Sequence, residues 1–382
     1  MALRKFGKTE EYLFPLGFGT MRLPVIGGDN TRINEEEAIR MIRYAIDNGL
    51  NYVDTAYPYH GGNSEIVVGY ALKDGYRKKT NLATKLPTWL INDKSDLDKY
   101  FFEQLKKLQT DYVDFYLLHT LDKGLFEKMV KVDAVTWAEK KIKEGYIRYL
   151  GFSFHDEFPV FKSIVDYYHN WTFAQIQLNY LDTEYQAGLK GLKYANEKGL
   201  AVIIMEPLRG GELANLPKQI EEVFKSVNPE RPIVEWGFDF LWNMEEVSLV
   251  LSGMSTMEQV KENINYAKGS YPGMLTPSEL EVYNKVAKMI HELRLIGCTG
   301  CGYCQPCTVG INIPEIFDIY NKGYLFRNME RAKRRYSFEK VKASECIECR
   351  NCEAQCPQGL PIRELLKRVH SELQVNNEIM LS

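Results

Sequence analysis

NLATKLPTWLINDKSDLDKYFFEQLKKLQTDYVDFYLLH, residues 81–119, contains the repeating unit of most of this chain. It opens on a short β-rich run, Asn81–Lys85. It passes through an amphipathic helical stretch, Ser95–Leu108, and closes on a second β-rich run, Val113–His119. The same alternation extends in both directions, from about residue 13 to about residue 270. The other candidate strands are Leu16–Thr20, Asn51–Asp54, Tyr149–Ser153, Ala174–Leu178, Ala201–Met205 and Ser248–Ser252. Helical patterns fall between them at Glu35–Asn48, Ser64–Leu72, Lys128–Lys143, Phe158–Tyr168 and Met257–Ala267, and Gly49, Gly145 and Gly199 stand where helix C-caps belong. Eight β-then-α units in one domain predict an α/β fold, a closed (β/α)8 TIM barrel, with a doubly wound sheet as the alternative.

Beyond the barrel, a helix opening at Thr276-Pro277 and running to about Leu295 reads as a connector. The expected division is residues 1–275 for the barrel, 276–296 for the connector and 297–382 for a small C-terminal α-helical module with its tail. All eight cysteines lie in that module, as Cys298-x2-Cys301-x2-Cys304-x2-Cys307 and Cys346-x2-Cys349-x2-Cys352-x3-Cys356-Pro357. The second run has the spacing and trailing proline of the bacterial ferredoxins. Three thiolates at i, i+3 and i+6 wrap three corners of a cubane, and the fourth is carried off to the other cluster. The module is therefore expected to be ferredoxin-like, with two 4Fe–4S clusters. Cys298, Cys301, Cys304 and Cys356 would hold one, and Cys346, Cys349, Cys352 and Cys307 the other. Thr308 follows Cys307 where a proline is usual. Zinc is the competing metal, but its sites use two separated pairs.

Composition narrows the partners. A net charge of −3 gives no hint of nucleic acid, and 26% charged with 45% hydrophobic residues speaks for a packed core rather than disorder. The opening Met1–Gly7 has no apolar signal-peptide region, and no uncharged run of about 18 residues offers a membrane span. A cytoplasmic, reducing compartment is expected.

Barrel enzymes carry their working groups at the C-terminal ends of strands. Here those ends give Asp54, Lys85 and His119, with Tyr59 in the loop after Asp54. The set suits carbonyl reduction. A tyrosine is a poor acid at neutral pH unless a close ammonium stabilises its phenolate. Asp54 would hold Lys85, and His119 would orient the carbonyl oxygen. Tyr57 is a rival acid, less favoured by its spacing from Asp54.

Gly17-Phe18-Gly19-Thr20-Met21-Arg22-Leu23, Asp54-Thr55-Ala56-Tyr57-Pro58-Tyr59 through Asn63-Ser64-Glu65, Ala83-Thr84-Lys85 and Leu117-Leu118-His119 resemble the aldo-keto reductases. With its cysteine tail, the chain resembles their ferredoxin-containing branch. The resemblance implies an NAD(P)H-dependent oxidoreductase acting on a small carbonyl or hydroxy compound. It implies Tyr59 as acid, Lys85 and Asp54 as tuners, and His119 as orienter. It also implies cofactor contacts from Gly19, Thr20 and Met21. Ser153 and Gln175 would meet the carboxamide, and Met205 stands where relatives stack an aromatic ring. Pro207, Leu208 and Gly210 resemble the pyrophosphate loop, followed by Gly253, Ser255, Gln259, Glu262 and Asn263 on the adenosine side. Relatives that grip a 2′-phosphate carry a lysine near Gly253 and an arginine at Gln259, so the resemblance leaves NADP and NAD both open. Phe154 departs from the usual asparagine.

Hydride carries two electrons and each cluster one, so coupling them calls for a centre such as a flavin, for which the sequence has no signature. The alternative function is an electron-transfer protein or adaptor linking a ferredoxin-like partner to an organic substrate, with the clusters otherwise structural. Arg327, Arg331, Lys333, Arg334 and Arg335 form a basic run that either docks an acidic carrier or is a solvated helix face. Tyr57, Trp89, Phe154 and Tyr180 are candidate apolar walls of the substrate pocket.

Overall fold

The computed structural model describes residues 3–298 and 300–374. Eight parallel strands close into a barrel: β1 Leu16–Gly19, β2 Tyr52–Asp54, β3 Asn81–Leu86, β4 Val113–Leu121, β5 Ile147–Phe154, β6 Phe173–Gln177, β7 Ala201–Met205 and β8 Leu249–Gly253. Strand β8 pairs with both β7 and β1, which shuts the ring. The doubly wound alternative is thereby excluded. Each strand lies within two residues of its sequence reading, and Gly49, Gly145 and Gly199 take the positive φ of helix ends.

The two-residue period of the strands sorts their side chains. Val53, Leu82, Tyr116, Leu118, Phe152, Phe154, Ile176, Val202, Ile204 and Val250 face outward, into the core under the helices. Tyr52, Ala83, Phe115, Leu117, Phe173, Ala201, Ile203, Leu249 and Leu251 fill the interior. Gly151 is obligatory there, because a Cβ would meet the Phe173 ring at 2.6 Å. The inner rows continue upward at Asp54, Lys85, His119, Ser153, Gln175, Met205 and Gly253. One parity rule therefore delivers seven candidate residues to one mouth. At the other end a hairpin, Arg4–Lys5 against Tyr12–Leu13, brings Phe6 to 5.0 Å from the Phe115 ring.

One helix differs from expectation. Lys128–Lys143 is two helices, Lys123–Lys131 and Ala134–Lys143. Asp122 caps the first by accepting from Leu125 N–H at 2.7 Å, and Asp133 breaks the chain with a φ of 57°.

Contacts divide the chain into two compact units, residues 1–210 with 234–276, and residues 211–233 with 277–382. The excursion after β7, with its helix Lys218–Lys225, thus groups with the C-terminal part. Phe224 lies 5.8 Å from Tyr283 of the helix Pro277–Glu292, and Arg231 pairs with Glu279 at 2.8 Å. The cysteine-rich region is built on helices Ile313–Leu325, Met329–Ser337 and Ile362–Leu373, whose Ile316, Phe317, Tyr320, Tyr336, Leu366 and Val369 form a small core. No helix among the described residues is long and apolar enough to cross a membrane.

Candidate functional site

At the barrel mouth Lys85 is fully buried, and its Nζ donates to Asp54 Oδ1 at 2.6 Å and to the Thr55 carbonyl at 2.8 Å. Burial works against the Lys85 charge, but Asp54 and Tyr59 outweigh it and hold the ammonium above the ordinary lysine value. Burial pushes Asp54 up, and Lys85 opposes that push. The ammonium lies 5.2 Å from the centre of the Tyr59 ring. The Tyr59 and His119 rings meet edge to face at 6.2 Å, and Trp89 stands 5.3 Å from His119.

The expected downward shift of the tyrosine does not hold. Burial raises the Tyr59 phenol above its usual value, and Lys85 only partly offsets this. Tyr59 is therefore firmly protonated at neutral pH, the state an acid requires. What Lys85 offers is stabilisation of the phenolate as it forms. His119 is driven well below the usual imidazole value by burial, with Lys85 adding to it, so the ring is neutral. Its Nδ1 is buried with no hydrogen-bond partner among the described residues. Tyr57 turns elsewhere: its hydroxyl donates to Glu103 at 3.2 Å, Lys107 sits 4.0 Å over its ring, and burial pushes its pKa up to about 12.

A buried polar relay behind the mouth was not legible as such. Glu65 Oε1 accepts from Thr84 and from Gln104, both at 2.7 Å, and Gln104 also donates to the Lys85 carbonyl at 3.0 Å. Tyr116 donates to Gln104 at 2.8 Å. The relay fixes the backbone that carries Lys85. Next to Tyr59, the buried His60 accepts from Leu23 N–H at 3.2 Å and bonds the Asn30 carbonyl at 2.7 Å, tying the loop after β1 to the tyrosine.

The expected cofactor residues ring the same face, in differing environments. Gln175 is buried with Oε1 lacking a partner among the described residues, and its Nε2 makes a 3.6 Å contact to Met205 Sδ. Ser153 Oγ accepts from Thr120 N–H at 2.7 Å. An orphaned amide oxygen beside a hydroxyl is a fitting receptor for a carboxamide. Pro207 and Leu208 lead into Gly210, whose φ is 67°. Gly19 is close-packed, since a Cβ would meet the Ser252 carbonyl at 3.3 Å, whereas Met21 is exposed. Thr20 Oγ1 is spent on the Asp54 carbonyl at 2.9 Å, so it serves the scaffold. Ser255 N–H donates to Gln259 Oε1 at 2.8 Å, Asn263 donates to Ser252 at 3.2 Å, and Glu262 is exposed. Phe154 is buried 5.2 Å from Phe161 and faces away from the mouth. It is no pocket wall.

In the C-terminal unit none of the eight cysteines is disulfide-bonded. A cavity of about 320 Å³ is lined by Cys304, Cys307, Cys346, Cys349 and Cys352. A smaller hollow is lined by Cys298, Cys301, Cys304 and Cys356. Among the described residues no three His, Cys, Asp or Glu side chains converge closely enough for a single metal ion. Thiols spread around a cavity suit a multinuclear cluster better than a zinc ion. The basic run is largely neutralised within its own unit: Arg331 pairs with Glu212 at 3.3 Å, Lys333 with Glu330 at 3.3 Å and Arg335 with Glu315 at 2.6 Å. Arg327 and Arg334 are exposed, whereas Arg331 packs on a buried carboxylate.

Residues 15–272 match the aldo/keto reductase family. The chain belongs to that family. It is an oxidoreductase, and residues 297–361 match the 4Fe-4S dicluster domain. The chain is 32% identical over 146 residues to "Probable aldo-keto reductase 1" of Glycine max, a match spanning 36% of this chain and 40% of that protein. It is 26% identical over 325 residues to the uncharacterized oxidoreductase YqkF of Bacillus subtilis, covering 75% of this chain and 97% of the relative. The holo form of an aldo-keto reductase from Bacillus halodurans superposes with a TM-score of 0.63 at 27% identity, over 75% of this chain and 96% of that one.

Proposed function

We propose that this aldo/keto reductase reduces a small carbonyl compound with NADPH or NADH on Tyr59, Lys85, Asp54 and His119, and that its 297–382 domain holds two 4Fe–4S clusters. The observation that carries the reading is the buried Lys85 ammonium, pinned by Asp54 at 2.6 Å and facing the Tyr59 ring at 5.2 Å. A reduced nicotinamide supplies hydride when bound. Tyr59 gives its proton to the carbonyl oxygen, so hydride and proton together make the alcohol. Lys85 stabilises the phenolate left behind, and Asp54 keeps Lys85 charged and in register. His119, neutral, donates one N–H to the same oxygen and fixes its angle. Ser153 and Gln175 would hold the carboxamide, with Pro207, Leu208 and Gly210 at the diphosphate. Gly253, Ser255, Gln259, Glu262 and Asn263 would lie toward the adenosine. Trp89, beside His119, walls the substrate side.

For the clusters, the crossed ligand sets find support in the two cavities: Cys298, Cys301, Cys304 and Cys356 line one, and Cys307, Cys346, Cys349 and Cys352 line the other, with Cys304 bordering both. A second reading has one supporting observation. Cys301 and Cys349 reach the surface beside Tyr303 and Ile347, which are 65% and 58% exposed. An apolar rim at a cluster edge suits docking of a small electron carrier.

The test is anaerobic, on protein with iron and labile sulfide confirmed. Loss of the reduced-nicotinamide absorption is followed with a panel of small aldehydes and ketones, for wild type and Tyr59→Phe. Wild-type turnover that nearly vanishes in the variant supports the reductase. Undiminished turnover in Tyr59→Phe removes Tyr59 from the mechanism. Bleaching of the cluster absorption by NADPH or NADH alone would favour the electron-bridging reading.

A further inference from the structure

We infer that Thr308 raises the reduction potential of the cluster held by Cys307, Cys346, Cys349 and Cys352 above that of the other cluster, so that an electron entering the module settles there. The inference rests on the two-cluster reading proposed above. Thr308 Oγ1 lies 3.4 Å from Cys349 Sγ. A cysteine that ligates iron is a thiolate with no proton to give, so the hydroxyl is the donor. The other side of that hydroxyl is occupied: Asn351 Nδ2 donates to Thr308 Oγ1 at 3.4 Å. The amide thereby leaves the hydroxyl proton for the sulfur and polarises it. Reduction adds a negative charge that is shared with the ligand sulfurs. A donor at a sulfur therefore stabilises the reduced state more than the oxidised one.

The backbone at this place does not call for a threonine. Gly310 N–H donates to the Cys307 carbonyl at 2.9 Å, closing a tight turn in which Thr308 is the residue after the first, and Gly310 takes a φ of 82°. Proline suits that position of a turn, and in the other run Pro357 does follow Cys356. Thr308 lines the cavity of the second set of cysteines, and Pro357 lines that of the first. Proline has neither an amide N–H nor a polar side chain. The two counterpart positions thus differ in the one group that reaches a sulfur. Neighbouring charge does not cancel the difference. Glu348, beside Cys349, pairs with Lys367 at 2.5 Å and with Arg363 at 3.4 Å, and Glu353 pairs with Arg363 at 3.0 Å.

The experiment is anaerobic, on cluster-loaded protein with iron and labile sulfide measured. The protein is poised at a series of potentials with dithionite and mediators and read by electron paramagnetic resonance. Wild type is compared with three variants. Thr308→Val puts a methyl group in place of the hydroxyl, Thr308→Ser keeps a hydroxyl, and Asn351→Ala leaves the hydroxyl without its anchor. Wild type should show two separate reduction steps. In Thr308→Val the upper step should become about tenfold less favourable, a fall of about 59 mV for one electron, while the lower step stays in place. Thr308→Ser should keep the wild-type values. Asn351→Ala should move the upper step the same way by less, which carries the test should Thr308→Val load its clusters poorly. The inference is overturned by coincident steps in wild type, or by an upper step unmoved in both Thr308→Val and Asn351→Ala. Equal shifts in Thr308→Val and Thr308→Ser, or a lower step that falls as far as the upper one, would overturn it too. Wild-type protein with one cluster per chain refutes the two-cluster reading itself.

Discussion

The barrel and the cysteine-rich region solve the same problem by opposite means. In the barrel, an inner and an outer apolar layer enclose the strands, and the fold is dense enough to hide Lys85 completely. Its chemistry is paid for by hydrophobic burial. The C-terminal region has a core of a few side chains, and its cysteines are partly or wholly exposed around two cavities. Small cores of that kind need covalent or metal staples. The contrast implies that the barrel folds without any bound group at its site, whereas the module's site is part of its fold.

The sharpest way to break that comparison is to remove the iron. Chelation under anaerobic conditions should open the helices Ile313–Leu325 and Met329–Ser337 to amide hydrogen exchange, while β1–β8 stay protected. If the barrel strands exchange together with the module, the two regions are one cooperative unit and the contrast fails. Next in size is Tyr59→Phe. Removing one positioned acid should lower kcat by about 10²- to 10⁴-fold, with the unfolding temperature almost unchanged because the ring still packs.

Lys85→Ala should act on both activity and stability. It leaves Asp54 buried with no cation, and breaking such a pair costs about 3–5 kcal/mol. Asp54→Asn with Lys85→Met should recover much of the stability and none of the turnover. If the single variant melts like wild type, the pair is hydrated and the account of the mouth given above is wrong.

What the sequence discloses follows the same division. Barrel strands were legible because each is a short apolar run between helices with glycine caps, and parity along them places Asp54, Lys85 and His119 together without further information. The cysteine runs were legible because spacing alone encodes their geometry. Helix Ile313–Leu325, which buries Ile313, Ile316, Phe317, Ile319 and Tyr320, has no place in the sequence reading, and Met329–Ser337 enters it only as a possible helix face under the basic run. The split at Asp133 escaped because a left-handed aspartate has no unique signature. Nothing local in Glu212 announces a partner at Arg331, over a hundred residues away. The sign of the Tyr59 shift depends on how far burial outweighs one ammonium, which only the packing decides.

The smallest effect concerns pH. Burial depresses the His119 pKa, and Lys85 adds to it, so below about pH 6.5 the unfolded chain binds a proton that the folded barrel refuses. Stability from this group is complete above about pH 6.5 and is lost as pH falls from there toward the folded value, by at most about 1.4 kcal/mol per unit. His155 is also depressed, chiefly by burial, and adds a second contribution of the same sign. Urea midpoints of the barrel transition at pH 7.5 and 5.5 should therefore differ less in His119→Gln than in wild type. His155→Gln should remove a further part of the difference. An unchanged acid limb in both variants would mean that these imidazoles are protonated in the folded state. In that case His119 would meet the substrate as a cation, its charge would compete with the Lys85 ammonium beside Tyr59, and the division of labour proposed for the mouth would have to be redrawn.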